Sequence, residues 1–594
     1  MTLPVSPSSL RAAGRRVLLV ALVAACGLAQ AAEPVALRLI GINDFHGNLE
    51  PANLTLTLVD PHGGKPLRVP VGGAAAVGGL VKALRAGAPH SLMISGGDLI
   101  GAAPLVSTLF RHESTIEVMN AIGLDVSTVG NHEFDAGAAE LKRIANGGCP
   151  PPQPDAVATS CTLAPYTGAR FPYLSANVFD GHGHTLFAPS VIREIDGIRV
   201  GIIGAVTRSA PTLVTPSGVA GLRFIDEADA INRAARHLKA QGVKAIVMTI
   251  HEGGELGPVS QRGDWNDASC PDAHGPIFAI AKRVTRDVDV IFSAHTHQGY
   301  RCVIDGRVII QGTSYGRGLS VVDVVLDPKS KKVIPSQTRS INLPVLNDQT
   351  DPALRERLAA ALPEPYGDVL RSARPDPAIA EMVAKYAAVV APKAAQPVGL
   401  IGGSFPRGGR ADSPAGRLIA DSQLAATQAP ADGGAQIALM NPGGIRSDLD
   451  CKGAPPCTAT FGQIFTMQPF GNSLVVMTLT GAQLKALLES QQRPGAQEAT
   501  WLQPSAGFTY TWQSDAPAGG RVRDMRLNGE TVVPDSDYRI TVNSFLAEGG
   551  DAFTVLTRGT ARTGGGQDLD ALIAYLKGAP ERSPVPTPRI TRQP

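Results

Sequence analysis

Five short stretches of the 594-residue chain set metal-binding side chain types at close spacing: Asn43-Asp44-x-His46, the Asp98 of "SGGD", Asn131-His132-Glu133-x-Asp135, His251, and His295-x-His297. Five of the 12 histidines fall in these few turns. Carboxylate and amide oxygens with imidazole nitrogens, and no thiolate, suit divalent cations such as Zn, Mn, Co or Fe. The donors suffice for two ions. A pair of ions about 3.5 to 4 Å apart needs a bridging carboxylate, activates a water and clamps the oxygens of an in-line phosphoryl displacement. Asp98, the only carboxylate of its turn, is the candidate bridge. His251 or His295 taken alone reads better as a buried, hydrogen-bonded histidine; repetition at five turns reverses that preference.

The stretches share a setting. Each follows an apolar run that reads as a strand: "VALRLIGI", "SLMISGG", "DVSTVG", "KAIVMTI" and "VDVIFSA". In an α/β sheet, ligands gather outside the carboxyl ends of the strands, so five such ends would converge. Turn preferences explain Gly, Asn or Asp after a strand, but not five histidines. Residues 35–345 are therefore expected to form an α/β layered domain. The Ala-rich, helix-forming stretches of 346–396 read as a helical connector, and strand-like runs return in 397–594 as a second α+β domain. Division into domains is expected, because single cores rarely grow past about 250 to 300 residues. The net charge of +2, with basic residues scattered, argues against a nucleic-acid polymer as partner.

Residues 1–31 read as a secretory signal peptide: Arg11, Arg15 and Arg16, then "VLLVALVAACGL", then small residues before a cleavage point after Ala31. The apolar run is shorter than the ~20 residues that span a bilayer. A lipoprotein reading, with attachment at Cys26, competes. Cysteine parity favours the first, for without Cys26 six cysteines remain, in near neighbours along the chain: Cys149 and Cys161, Cys270 and Cys302, Cys451 and Cys457. An even set in an exported protein suggests disulfides; six cysteines permit 15 connectivities, among which sequence does not choose. The location expected is periplasmic or secreted.

In this order "NDFHGNLEP", "SGGDLIGAAP", "GNHEFDAG", "HEGG" and "AHTHQ" resemble the metal-site motifs of calcineurin-like metallophosphoesterases, specifically the secreted bacterial 5'-nucleotidase family. The resemblance implies a four-layer αββα sandwich joined by the connector to a substrate-binding domain. It implies two divalent ions (Zn, Mn or Co), one held by Asp44, His46, Asp98 and His297, the other by Asp98, Asn131, His251 and His295. His132 and Asp135 would correspond to a catalytic dyad in which the histidine donates to the phosphoryl group and the aspartate orients it. Asn43 and Glu133 are left as supporting or turn residues.

Three stretches of the C-terminal half, "MNPGGIRSD", "QPFGNSL" and "NSFLAEGGDAF", also resemble that family's nucleotide-recognition motifs. Phe470 and Phe545 would correspond to an aromatic pair that sandwiches the base, and Asn441, Arg446, Asn472 and Asp551 to the polar groups around it. Arg407 and Arg410, before "AGRLIADS", would correspond to its substrate-binding arginines, with the spacing to Gly416 shifted by about one residue. Each stretch alone reads better as a Gly-rich turn between strands, with Phe470 and Phe545 as core residues; the three together favour recognition. The implied activity is hydrolysis of 5'-nucleotides, with nucleoside di- and triphosphates or UDP-sugars as further substrates, by a monomer that turns over through domain closure. A 2',3'-cyclic nucleotide phosphodiesterase with 3'-nucleotidase activity, a related sulfur-oxidation hydrolase and a non-catalytic nucleotide-binding protein are the alternatives.

Overall fold

The computed structural model describes residues 33–593 apart from 52–53, 62–63, 152–159, 215, 257–263, 271, 409–411 and 494–498. The expected signal peptide with Cys26, and Arg410, lie outside the described residues.

Two six-stranded sheets build the first half. In one, Arg339–Pro344, Gly318–Leu326, Val35–Ile42, Ser91–Ser95, Val126–Thr128 and Tyr173–Leu174 lie side by side, the last four parallel to one another. The other runs Gly299–Ile304, Arg307–Gly312, Val290–Phe292, Ala245–His251, Ile198–Val206 and Ser190–Ile195, with its four central strands parallel. Strand alternation assigns the faces. Leu37 and Leu39 of one sheet meet Val200, Ile202, Val247 and Val290 of the other, while Ile40 and Ile42 turn outward to a helical layer. Ile246, Met248 and Ile291 turn the opposite way, onto the helices Glu227–Ala240 and Pro276–Arg283. Period-2 side chains on strands buried on both faces thus give the αββα sandwich.

Three helices, Pro352–Ala360, Tyr366–Ser372 and Pro377–Ala394, follow the sandwich. The third is no free linker. Ile379, Val383, Tyr386 and Val390 are buried in the outer core of the first sheet, and Asp376 caps the helix by accepting from Ala378 and Ile379. The helix Ala74–Ala86 lies so close that a Cβ on Gly79 would stand 1.7 Å from the Arg374 carbonyl.

Beyond it, a five-stranded sheet is ordered Gln503–Pro504, Ile437–Met440, Asp537–Asn543, Ser473–Thr480 and Thr560–Gln567. Ile437–Met440 runs parallel to Asp537–Asn543, and Ser473–Thr480 antiparallel. The two ends and one beginning share an edge, which carries Asn441, Asn543 to Phe545, and Phe470 to Asn472. The helices Pro414–Thr427 and Asp568–Lys577 cover one face, and Gly481–Glu489 with a four-stranded sheet covers the other. Disulfides join Cys149 to Cys161, Cys270 to Cys302 and Cys451 to Cys457. Among the described residues no helix is long and apolar enough to cross a membrane.

Gly79 tests how firmly the connector is seated. On an open helix Gly→Ala stabilises by up to about 1 kcal/mol, whereas overpacking costs about 1 to 3 kcal/mol. Gly79→Ala should therefore lower the unfolding midpoint in denaturant; a raised midpoint would show that the Arg374–Pro375 turn is not packed there.

Candidate active site

The parallel strands of both sheets end on one edge of the sandwich, and their following turns meet. Asp44, His46 and His297 form one group of metal-ligand atoms and Asp98, His251 and His295 a second, each with its ligand atoms within 4.8 Å of one another. Asp98 faces both. Its Oδ2 lies 3.1 Å from His251 Nε2 and 3.5 Å from His46 Nε2, while its Oδ1 accepts the His132 N–H at 2.9 Å. Asn131 Oδ1 stands 3.1 Å from His251 Nε2, and the Nε2 atoms of His46 and His297 are 3.2 Å apart.

The tautomers decide what this cluster can hold. His251 Nδ1 donates to the Gly96 carbonyl and His46 Nδ1 to that of Gly101, each at 2.8 Å. Both Nε2 lone pairs therefore point at other lone pairs, those of Asp98, Asn131 and His297. Only a proton or a cation reconciles them. The charges agree: against burial, Asp98 and Asp44 push His251 up to about 10, and against burial His297 and His251 bring Asp44 down to about 2. His295, buried beside the His251 charge, falls to about 3. A buried pocket with two carboxylates, an amide oxygen and four imidazoles, of which His46, His295 and His297 are held below the ordinary value and His251 would yield its proton to a cation, fits divalent cations, and a carbonyl behind each of two ring nitrogens fixes the ligand orientation.

Asn43 and Glu133, read from sequence as supporting residues, prove to be the clamps. Asn43 donates to Asp44 Oδ2 at 2.6 Å and to the Thr313 carbonyl, and its own oxygen accepts from Gly312 at 3.0 Å. The Glu133 carboxylate accepts the N–H groups of Asp98 and Leu99 at 2.9 Å and that of Gly130. One side chain thereby ties the Asp98 turn to the Asn131 turn. Gly130 is required beside it, because a Cβ there would stand 2.1 Å from Asp98 Oδ1. Burial and the nearby Asp98 charge raise Glu133 to about 7, with the backbone donors opposing.

His132 Nδ1 lies 2.9 and 3.1 Å from the two Asp135 oxygens. Burial alone would lower this histidine, but Asp135 and Asp98 outweigh it and raise its pKa. Its ring packs 5.6 Å from that of Phe470, with 25° between the planes, so the second domain reaches the dyad. A cavity of about 530 Å³ is lined from one side by Asp98, Asn131 and His132 and from the other by Phe470, Phe545 and Asp551. Arg407, Asn441, Arg446 and Asn472 also border it. Asn441 donates to Asp551 Oδ2 at 2.8 Å, and Arg446 stands 5.7 Å over the Phe470 ring with Nε and Nη2 buried and without a hydrogen-bond partner among the described residues.

Sequence reasoning missed four contributors. Asn543 donates to Asn441 Oδ1 at 2.9 Å and caps the short helix Ser544–Ala547 that carries Phe545, a signal readable as Asn before "SFLA". Leu213 and Val214, in the segment after Ile198–Val206, add an apolar wall to the cavity, and nothing in their sequence announces it. Tyr315, whose ring lies 5.7 Å from that of His46, likewise has no motif of its own.

The fold and site define a two-domain protein of the calcineurin-like metallophosphoesterase class whose metal-ligand cluster opens onto a second α+β domain. Residues 391–558 match the family described as 5'-nucleotidase, C-terminal domain. Over that segment the chain belongs to the 5'-nucleotidase C-terminal domain family. It is 32% identical over 553 residues to the endonuclease YhcR of Bacillus subtilis, a match covering 92% of this chain and 40% of that longer protein. It is 29% identical over 607 residues to a probable 5'-nucleotidase of Treponema pallidum, covering 91% of each. Among solved structures, the 5'-nucleotidase precursor of Thermus thermophilus superposes with a TM-score of 0.71 at 26% identity, over 94% of this chain and 99% of that one.

Glu133→Ala should leave the N–H groups of Asp98, Leu99 and Gly130 buried without an acceptor, at about 1 to 3 kcal/mol each. The expected outcome is a folded protein with metal affinity lowered roughly 10- to 100-fold, read by competition with a chelator. Wild-type affinity would show that Glu133 does not hold the two turns.

Proposed function

We propose that this protein is a hydrolase that releases phosphate from 5'-nucleotides, with nucleoside di- and triphosphates and nucleotide sugars as further substrates, acting with two divalent ions in the periplasm or outside the cell. One observation carries the reading: Asp98, Asn131, His295 and His297 of the metal-ligand cluster, the His132–Asp135 pair, both phenylalanines and Asp551 border a single cavity. A phosphate at the cluster and a base between the phenylalanines would be joined by a ribose near Asn441 and Asp551. The names of the Treponema and Thermus relatives accord with it. Three disulfides support an oxidising compartment.

Asp44, His46, Asp98 and His297 would hold one ion and Asp98, Asn131, His251 and His295 the other. Bound there, the ions would supply Lewis-acid polarisation of the phosphoryl group and activation of a water. The chain's own groups do the rest. His132, whose pKa Asp135 and Asp98 raise against burial, donates a hydrogen bond to the phosphoryl oxygens or leaving oxygen as negative charge develops. Arg446, with two nitrogens unpartnered among the described residues, and Arg407 face the phosphate end as cations. Phe470 and Phe545 accept any base, since stacking of about 1 to 3 kcal/mol per base is sequence-tolerant. A protein that only binds nucleotides would have no use for the dyad.

Phosphate release from 5'-AMP, 3'-AMP, 2',3'-cyclic AMP and UDP-glucose, measured with metal-reloaded protein, should favour 5'-AMP. Preference for the 3' or cyclic substrate would replace this reading with the cyclic phosphodiesterase. His132→Asn should cut kcat by roughly 10² to 10³ with metal content unchanged; turnover at the wild-type rate would assign the donor role elsewhere. Phe545→Ala should raise KM for 5'-AMP roughly 5- to 100-fold and leave an aryl phosphate nearly unaffected. Equal losses on both substrates would count against a base-binding ring.

A further inference from the structure

One turn feeds both metal-ligand groups, His295 the one with Asp98 and His251, and His297 the one with Asp44 and His46. Both take positive φ, +75° and +57°, a conformation that persists only where neighbours over-determine it. Thr296, between them, has such neighbours. Its Oγ1 donates to the Gly254 carbonyl at 2.8 Å, in the turn after His251, and accepts from Gln311 Nε2 at 3.1 Å. Gln311 Oε1 in turn accepts from the Tyr300 hydroxyl at 3.1 Å, and Ser293 Oγ lies 2.8 Å from that hydroxyl. Tyr300 and Gln311 stand opposite one another on the antiparallel strands Gly299–Ile304 and Arg307–Gly312, and both are fully buried.

The distances pick out one arrangement of donors. The Gly254 carbonyl can only accept, so the single Thr296 hydroxyl proton goes to it and the Thr296 lone pairs take a Gln311 N–H. The Gln311 amide must then turn its oxygen to Tyr300, which makes the tyrosine the donor. From Tyr300 to Gly254 each group donates to the next, and such a chain gains from mutual polarisation in a dry interior. The pairing of strand residues 300 and 311 needs none of these side chains, and buried polar groups cost free energy unless paired. What the chain adds is a fixed place for Thr296. The two turns are in close contact there: a Cβ on Gly253 would stand 2.3 Å from the Ala294 carbonyl and 2.5 Å from Thr296 Oγ1.

We propose that the chain from Tyr300 through Gln311 to Thr296 is a positioning device that seats the His295–His297 turn on the His251 turn and thereby sets the spacing of the two ions. The strands ending at His251 and Phe292 are parallel neighbours in the second sheet, as those ending at Ser95 and Thr128 are in the first. Glu133 ties the ligand turns of the first sheet. Thr296 is its counterpart on the second, and a hydroxyl held from behind keeps His295 and His297 directed at different ions.

The inference rests on the two-ion reading above, and Thr296→Val tests it, since valine keeps the branched shape and removes the hydroxyl. Measured by competition with a chelator, affinity for Co or Zn ions should fall roughly 10- to 100-fold, for both equivalents together, because Thr296 stands between ligands of both. The visible spectrum of the Co-loaded protein should shift as well. Thr296→Ser should stay within about twofold of wild type, since it keeps the hydrogen bond. Tyr300→Phe, which cuts the far end of the chain and keeps the ring, should weaken both equivalents roughly two- to tenfold, the worth of one buried hydrogen bond. A loss confined to one equivalent would overturn the proposal, as would a serine variant as weak as the valine one, or wild-type affinity in Thr296→Val (in Tyr300→Phe, should the valine variant not fold). A lowered unfolding midpoint of the metal-free protein with unchanged metal affinity would show that the chain serves stability alone. A wild-type protein that binds a single equivalent would sink the two-ion reading instead, and the affinity and spectrum of Thr296→Val would still decide the positioning.

Discussion

Asp44 and Asp98 place two carboxylates in one pocket at 0% and 1% exposure, and the architecture of the first domain answers that fact. A carboxylate taken out of water costs several kcal/mol unless opposite charge and hydrogen bonds compensate. Two at close range also repel. The compensation comes from five strand ends on two sheets, which only a face-to-face sandwich with parallel strands can bring to one edge. Asp44, His46, Asp98, His295 and His297 all take φ between +46° and +75°, a backbone region costing of order 1 to 3 kcal/mol per non-glycine residue. Strain at five ligand positions persists because Asn43 and Glu133 hold the turns and because the converging lone pairs favour bound cations over any relaxed arrangement.

The same electrostatics reaches the second domain. Arg446 leaves two nitrogens buried and unpartnered among the described residues above the Phe470 ring, near a cluster whose negative charge tolerates a cation. The position of Arg446 follows from backbone pairing within its own domain, since its N–H donates to the Met467 carbonyl three residues before Phe470. Cation and aromatic ring therefore move as one body. Asn543 extends that body by capping the helix of Phe545 and holding Asn441, which holds Asp551.

The sequence makes the ligand types legible because strand ends and donor chemistry are local signals: an apolar run, a turn, an Asp or His. The face assignment of the strands is legible for the same reason, through period-2 burial. What holds the ligands is not legible. Asn43 works through Gly312 and Thr313, far along the chain, and Glu133 through Asp98 and Leu99; such partners are fixed by the sheets' arrangement and not by spacing. Tyr315 is hidden for a further reason, since no propensity argues for a tyrosine in a left-handed turn. The Ala-rich segment reads correctly as helices, but its docking on the first sheet's outer layer depends on Gly79 and Ile379, which find their neighbours only after folding.

The stack of Phe470 on His132 joins recognition to chemistry. The His132 side chain is 13% exposed, and one of its faces is covered by a residue of the second domain. A hydrogen-bond donor is worth more to a developing charge where water is excluded. Phe470 stacks on that face and keeps water from it. On the proposed function the ring that would stack on the base would also shield the donor, and a nucleotide that holds Phe470 in place would complete the catalytic surroundings as it binds. A small phosphate ester can reach the metal ligands but lacks the base that would stabilise this closed arrangement. On the proposed function, selectivity for nucleotides would follow from induced fit, with base stacking spent on completing the site and only partly on affinity.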